Sequence, residues 1–168
     1  MIRGPGPGLR PFLPADARAL AALYSASIEE LTGEDYSEDQ RAAWASAADD
    51  SAGFSARLAA GLTLVALIDG RIAGFAALKE NNLFDMLYVR PDLARRGVGA
   101  ALADAIEKLA AGRGAKLLTV DASDSARDFF AARGYVPQSR NTIMLGGEWL
   151  GNTTMTKELA AAATGGPH

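Results

Sequence analysis

The sequence contains no cysteine, and its one histidine, His168, is the last of 168 residues. The first absence removes disulfides, thiolate metal sites and a cysteine nucleophile together. With the histidine confined to a terminal GGPH string, neither a histidine-centred dyad nor a metal site is expected. No apolar run approaches the roughly 20 residues that span a bilayer. The opening MIRGPGPGLRPF carries charge but lacks the apolar core of a signal peptide. A cytoplasmic location with no membrane partner is therefore the default expectation. A formal net charge of -3 lacks the basic balance of a nucleic-acid binder. Acid–base chemistry is left to carboxylates, tyrosines, lysines, the backbone and water.

What is present suits one globular domain, since 49% of the residues are hydrophobic and 22% are charged. A turn-rich lead-in over 1–8 is followed by a domain over 9–159 and a tail over 160–168. Residues 9–13 read as a first strand, and Asp16 to Gly33 brackets a helix with Ala19, Leu20, Leu23, Ser27 and Leu31 at helical spacing. Ser37 and Gln40 form a capping box for a second helix ending near Ala48, with Asp49, Asp50 and Gly53 as breakers. Strands over 62–68 and 72–78 flank an Asp69–Gly70 hairpin turn, and 84–89 is a third apolar strand. Val98, Ala101, Leu102, Ala105, Ile106 and Leu109 mark an amphipathic helix that Gly112 and Gly114 stop. A strand over 116–120, a short helix over 124–133 and strands over 135–145 and 149–159 complete the chain. The strand–helix–strand unit over 84–120 implies one parallel pair with a right-handed crossover, whereas the flanking hairpins are antiparallel. The expected fold is α/β (α+β): a mixed, mostly antiparallel central sheet with one parallel strand pair and helices on both faces.

The stretch RPDLARRGVGA, residues 90–100, crowds Arg90, Arg95 and Arg96 around two glycines at a helix start. Taken alone it is either a tight connection or a phosphate cradle. Main-chain amides at the positive end of a helix suit an anion, and Gly97 and Gly99 carry no side chain to hold one off. The dinucleotide fingerprint G-x-G-x-x-G fails because Leu102 holds its third glycine position, and no Gly-Lys-Ser/Thr of a P-loop occurs in the turn.

The context resembles a known family. Val89, Pro91, Gly97 and Gly99 match the V-x-P-x-x-(Q/R)-x-x-G-x-(G/A) motif of the Gnat superfamily of acetyl-CoA-dependent N-acetyltransferases. The string Ser123-Asp-Ser-Ala126-Arg-Asp-Phe129-Phe130-Ala-Ala-Arg-Gly134-Tyr135 resembles its later Asn-x-x-Ala-x-x-Phe-Tyr-x-x-x-Gly-Phe motif. The resemblance covers most of 9–159 and implies an acyl-CoA N-acyltransferase-like fold with acetyl-CoA as co-substrate and no metal. It implies that the main chain at Leu87, Tyr88 and Val89 pairs with the pantetheine arm. Arg95, Arg96, Gly97, Val98, Gly99 and Ala100 would cradle the pyrophosphate, with Ser123, Phe129 and Phe130 also on the cofactor side. Three residues depart from the pattern: Ala94 replaces Gln/Arg, Ser123 replaces Asn, and Phe130 replaces the tyrosine credited with protonating the thiolate.

Acyl transfer to an amine needs a base, because a lysine-like amine of pKa about 10.4 is protonated at neutral pH. Asp85 in FDMLYV is the first candidate and falls on the face of Leu87 and Val89 if alternation is regular. Asp121, at a strand end, is the second. Glu80, in the KENN loop, is the third, and that loop also reads as part of the acceptor site. Tyr88 or Tyr135 is a candidate acid for the leaving thiolate, beside water. Tyr36 and Trp44 lie in a region that the resemblance assigns to the acceptor cleft, where rings would pack an amine substrate; core packing is the other reading. Arg140, Asn141 and Asn152 are acceptor contacts without a spacing argument. The implied acceptor is a small-molecule or peptide amine. The alternative is a non-catalytic acyl-CoA-binding module. A homodimer is the base-rate assembly.

Overall fold

The computed structural model of the chain describes residues 6–160. The expected tail from residue 161 onward, with His168, and residues 1–5 of the lead-in lie outside the described residues. Seven strands form one sheet: β1 (Gly8–Pro11), β2 (Leu62–Ile68), β3 (Arg71–Lys79), β4 (Leu83–Val89), β5 (Leu117–Ser123), β6 (Val136–Leu145) and β7 (Glu148–Glu158). They run in the order β1-β2-β3-β4-β5-β7-β6. Among the described residues only β4 and β5 pair in parallel, as the single expected crossover requires. The Asp69–Gly70 turn has positive φ at both residues, 51° and 76°, the primed turn that matches strand twist.

Among the described residues five α-helices cover the sheet: α1 (Ala17–Leu31), α2 (Glu38–Ala45), α3 (Ser51–Ala60), α4 (Val98–Gly112) and α5 (Arg127–Ala132). The Ser37–Gln40 capping box closes in both directions, at 3.1 and 2.9 Å. Helix α3 corrects the sequence reading, which treated Asp49, Asp50 and Gly53 as breakers. Asp50 instead caps α3: its carboxylate accepts the Gly53 N–H at 3.0 Å, and Phe54 and Leu58 are buried. On α1 the buried stripe runs through Leu20, Leu23, Tyr24, Ser27 and Ile28, so Ala19 and Leu31 fall outside it.

The sheet separates two apolar layers. Leu20, Tyr24, Ile28, Phe54 and Leu58 of α1 and α3 pack on one face, and Val98, Leu102, Ile106 and Ala110 of α4 pack on the other. Helix α4 lies close because Gly74 of β3 has no side chain. A Cβ there would stand 2.8 Å from the Tyr88 carbonyl oxygen and 2.9 Å from Val98.

Behind α4 sits the buried carboxylate of Glu107. It accepts hydrogen bonds from Arg133 at 3.0 and 3.1 Å, Lys157 at 2.9 Å and the Tyr135 hydroxyl at 2.9 Å, tying α4 to α5 and β7. Burial alone would raise the pKa of this group. The bonds from Arg133, Lys157 and Tyr135 outweigh it and hold Glu107 below its ordinary value. A depressed folded-state pKa gives stability that is present above the unfolded value and lost as pH falls through the folded one. Glu107→Gln should therefore lower stability near pH 7 by roughly 2–3 kcal/mol, the buried-pair value discounted for partly exposed partners. Its acid limb should also be flatter than that of the parent; thermal melts between pH 3 and 7 measure both.

Candidate active site

The parallel pair holds for two residues only, Leu83↔Thr119 and Phe84↔Val120. Past this point β4 and β5 diverge. The Arg90 N–H donates to the Ala73 carbonyl at 2.8 Å, so by alternation residues 86, 88 and 90 direct their amides and carbonyls at β3. Leu87 and Val89 direct theirs into the gap, where no strand follows. The gap opens into a cavity of about 840 Å³, the size of a small-molecule site.

Helix α4 starts at the mouth of this gap. Its cap, Gly97, is left-handed at φ 79°, Arg95 is left-handed at 66°, and no side chain caps the helix. The first intrahelical bond runs from the Ala101 N–H to the Gly97 carbonyl at 3.0 Å. The amides of Val98, Gly99 and Ala100 are therefore without helix partners, at the positive end of a 15-residue helix. All three residues line the cavity, together with Arg95 and Gly97. A Cβ on Gly97 would meet nothing within 4 Å, so what demands glycine there is the left-handed backbone. Arg90 is engaged elsewhere, bonding Asp92 at 2.8 and 3.0 Å. Arg96 is exposed beside the turn and does not line the cavity.

The candidate acids differ sharply in their surroundings. Asp85 sits at a bulge: β3–β4 register shifts between Ala77 and Leu78, and Asp85 has no partner on β3. The irregularity breaks the alternation assumed from sequence. Phe84, Leu87 and Val89 pack on the α4 side, whereas Asp85 turns to α3 and accepts two bonds from Arg57, at 3.0 and 3.2 Å. Asp121 lies on β5 with its Oδ1 accepting from the Thr154 hydroxyl at 2.7 Å. Thr154 in turn accepts from Asn141 at 2.8 Å, and Asn141 also donates to Asn152 at 2.9 Å. Asp121 forms no ion pair among the described residues. Both aspartates line the cavity. Glu80 does not: its turn lies at the far end of β4, where Asn81 donates to the Arg113 carbonyl beyond the end of α4.

The aromatic candidates form one wall. Tyr88 packs against Tyr24 at 4.6 Å, Phe75 at 5.6 Å and Trp44 at 6.3 Å between ring centres. Burial among these rings pushes its phenol pKa well up, away from the range of a useful acid. Tyr135 is buried behind α4 on Glu107 and does not line the cavity. Phe129 and Phe130 stand edge to face at 5.2 Å, with Phe130 buried against Phe84 and Phe129 beside Gly99. The Ser123 hydroxyl accepts the Ala126 N–H at 3.1 Å and so shapes the turn into α5.

Sequence reasoning missed the role of the Tyr36 hydroxyl. It donates to the Gly151 carbonyl at 2.6 Å and accepts the Asp124 N–H at 2.8 Å, joining the loop before α2 to β7 and to the end of β5. Partners 88 and 115 residues away leave no local signal.

The sequence matches the Acetyltransferase (GNAT) domain over residues 32–159. The chain belongs to this family. It is 31% identical to the uncharacterized N-acetyltransferase YafP of Escherichia coli (strain K12), over 88% of this chain and 93% of that one. A solved structure of a GCN5-related N-acetyltransferase from Rhodopseudomonas palustris is 58% identical, with TM-score 0.92 over 95% of this chain and 99% of the other. The PaiA N-acetyltransferase of Thermoplasma acidophilum, solved in complex with coenzyme A, shares the fold at TM-score 0.75 and 18% identity, over 91% of this chain and 99% of that one. No helix among the described residues of this GNAT enzyme is long and apolar enough to cross a membrane.

Within the GNAT fold, the Tyr36 hydroxyl ties the loop before α2 to the neighbouring strands β5 and β7 at the cavity. Tyr36→Phe removes both bonds from a half-buried amide and carbonyl and should destabilise the protein by about 1–2 kcal/mol. Chemical denaturation measures the loss, and a midpoint unchanged from the parent would remove the hydroxyl from this role.

Proposed function

We propose that this GNAT enzyme transfers an acetyl group directly from acetyl-CoA to the primary amine of a small molecule or peptide. One observation carries the reading: β4 leaves β5 after two residue pairs, and the uncapped amides of α4 open onto the gap. The amides of Val98, Gly99 and Ala100, with Arg95 and the Gly97 backbone, suit the diphosphate of coenzyme A. Arg96 adds charge from outside the cavity. The main chain at Leu87 and Val89 offers strand-like donors and acceptors to a pantetheine arm. Phe129, Phe130, Tyr88 and Ser123 bound that path. Acetyl-CoA supplies an activated thioester, and β4 amides facing the gap can polarise its carbonyl.

Asp121 is favoured over Asp85 for taking the proton of the acceptor ammonium. Arg57 holds both oxygens of Asp85, whereas Asp121 Oδ2 has no hydrogen-bond partner among the described residues and Oδ1 is held by Thr154. The thiolate is protonated by solvent, since Tyr88 and Tyr135 are both raised in pKa and Phe130 has no proton to give. Tyr36 and Trp44, 5.4 Å apart, belong to the acceptor side.

Thiol release from acetyl-CoA that depends on an added amine tests the reaction. Binding of coenzyme A with no release for any amine would favour a non-catalytic acyl-CoA sensor. Asp121→Asn should lower kcat by about 10²–10⁴-fold, with acetyl-CoA binding intact. Gly99→Glu has room for its Cβ, whose nearest neighbours would be Phe129 at 3.6 Å and Val89 at 3.8 Å, yet sets a carboxylate beside the diphosphate. Calorimetry should show coenzyme A affinity reduced by at least about tenfold, roughly 1.4 kcal/mol.

A further inference from the structure

We propose that the acceptor is a monoamine carried on an apolar body of aromatic size. This inference rests on the amine acetylation proposed above and names its substrate class. The cavity extends past the β4–β5 gap into a chamber between α1, α2 and the β6–β7 hairpin, walled by Ile28, Leu31, Trp44, Leu145 and Leu150. Thr32 and Tyr36 also line the cavity, but their hydroxyls are committed to the Ile28 and Gly151 carbonyls, and the Asn152 amide oxygen to Asn141. The chamber therefore offers contact area and few free directional groups, the lining of a site that selects by shape and dehydration. At the mouth, Leu31 and Ile143 remain 43% and 37% exposed, apolar surface that an apolar ligand would cover.

The charges narrow the class further. Arg57 and Asp85 neutralise each other, which leaves Asp121 as the one cavity carboxylate without a cationic partner among the described residues. A single anionic anchor matches one ammonium group. A polyamine would bring further cations into an apolar chamber with nothing to pair them, and burying an unpaired charge is costly. An amino acid would bring a carboxylate whose cavity partner, Arg95, stands at the α4 end. The Asn141–Thr154–Asp121 chain of donors ends on Oδ1 of the carboxylate and holds its orientation. In the reaction the ammonium gives one proton to Asp121, the amine nitrogen bonds the acetyl carbon, and the carbon–sulfur bond breaks. The nitrogen loses its second proton to water, and the sulfur leaves as thiol after taking a proton from water.

The test compares 2-phenylethylamine, ethylamine, spermidine and L-lysine as acceptors at fixed acetyl-CoA, following free thiol. The expected result is a kcat/KM for 2-phenylethylamine at least about tenfold above each of the other three, in line with burial of a ring-sized apolar group. Leu31→Asn, at an exposed position that tolerates a polar side chain, should lower that value several-fold through KM for the amine. Spermidine or L-lysine as the best acceptor would overturn the substrate class while leaving amine acetylation in place. Equal rates for ethylamine and 2-phenylethylamine would overturn it as well. Failure of all four, and of wider amine panels, while coenzyme A binds would overturn the enzymatic reading beneath it.

Discussion

The architecture turns on a pairing that stops early. Two parallel strands that continued side by side would satisfy each other along their whole length and leave a closed sheet. Here β4 and β5 hold together at Leu83–Thr119 and Phe84–Val120 and then separate. Separation exposes main-chain groups in the middle of a sheet, which is tolerable only where something else satisfies them. An extended ligand with amides of its own has the groups to do so. The rest of the fold supports the gap: β4 bulges at Asp85, Arg57 holds that bulge from α3, and the Phe84–Phe130 contact packs α5 against β4.

Helix α4 supplies the charge that the gap itself lacks. Its position depends on Gly74, which lets Val98 sit against β3, and on Glu107, which ties its far half to α5 and β7. Neither residue touches the cavity, yet both decide where the amides of Val98, Gly99 and Ala100 point. In the proposed reading, a chain of net negative charge thus carries a local anion site built mainly from backbone dipoles. The opposite side of the cavity has another character. It is aromatic and aliphatic, with its one ion pair self-neutralised, so the two ends favour ligands of different chemistry.

Much of this was legible in the sequence because the signals were local. The capping box at Ser37, the Asp69–Gly70 turn and the 98–109 stripe each depend on residues within a few positions of one another. The glycine turn was readable for the same reason, and the two spaced motifs carried the family. Helix α3 was hidden because Asp50 reads as a breaker and serves as a cap, two roles that the same residue type fills. The Asp85 prediction failed at its face, since a one-residue bulge inverts strand parity and leaves no mark in FDMLYV. Glu80 shared a loop with plausible polar neighbours, but β4 carries that loop away from the cavity. The Tyr36 bridge, the Asn141–Thr154–Asp121 chain and the apolar chamber are tertiary juxtapositions across β6 and β7, which no local pattern announces.

The central claim is that the free amides of α4 grip a diphosphate while the unpaired edge of β4 grips the arm attached to it. Amide chemical shifts of Val98, Gly99 and Ala100, followed by NMR during titration with coenzyme A and separately with pantetheine, address it directly. The account predicts large shifts of these three amides with coenzyme A and little change with pantetheine, which lacks the diphosphate, while Leu87 and Val89 respond to both. Unmoved α4 amides at saturating coenzyme A would contradict it.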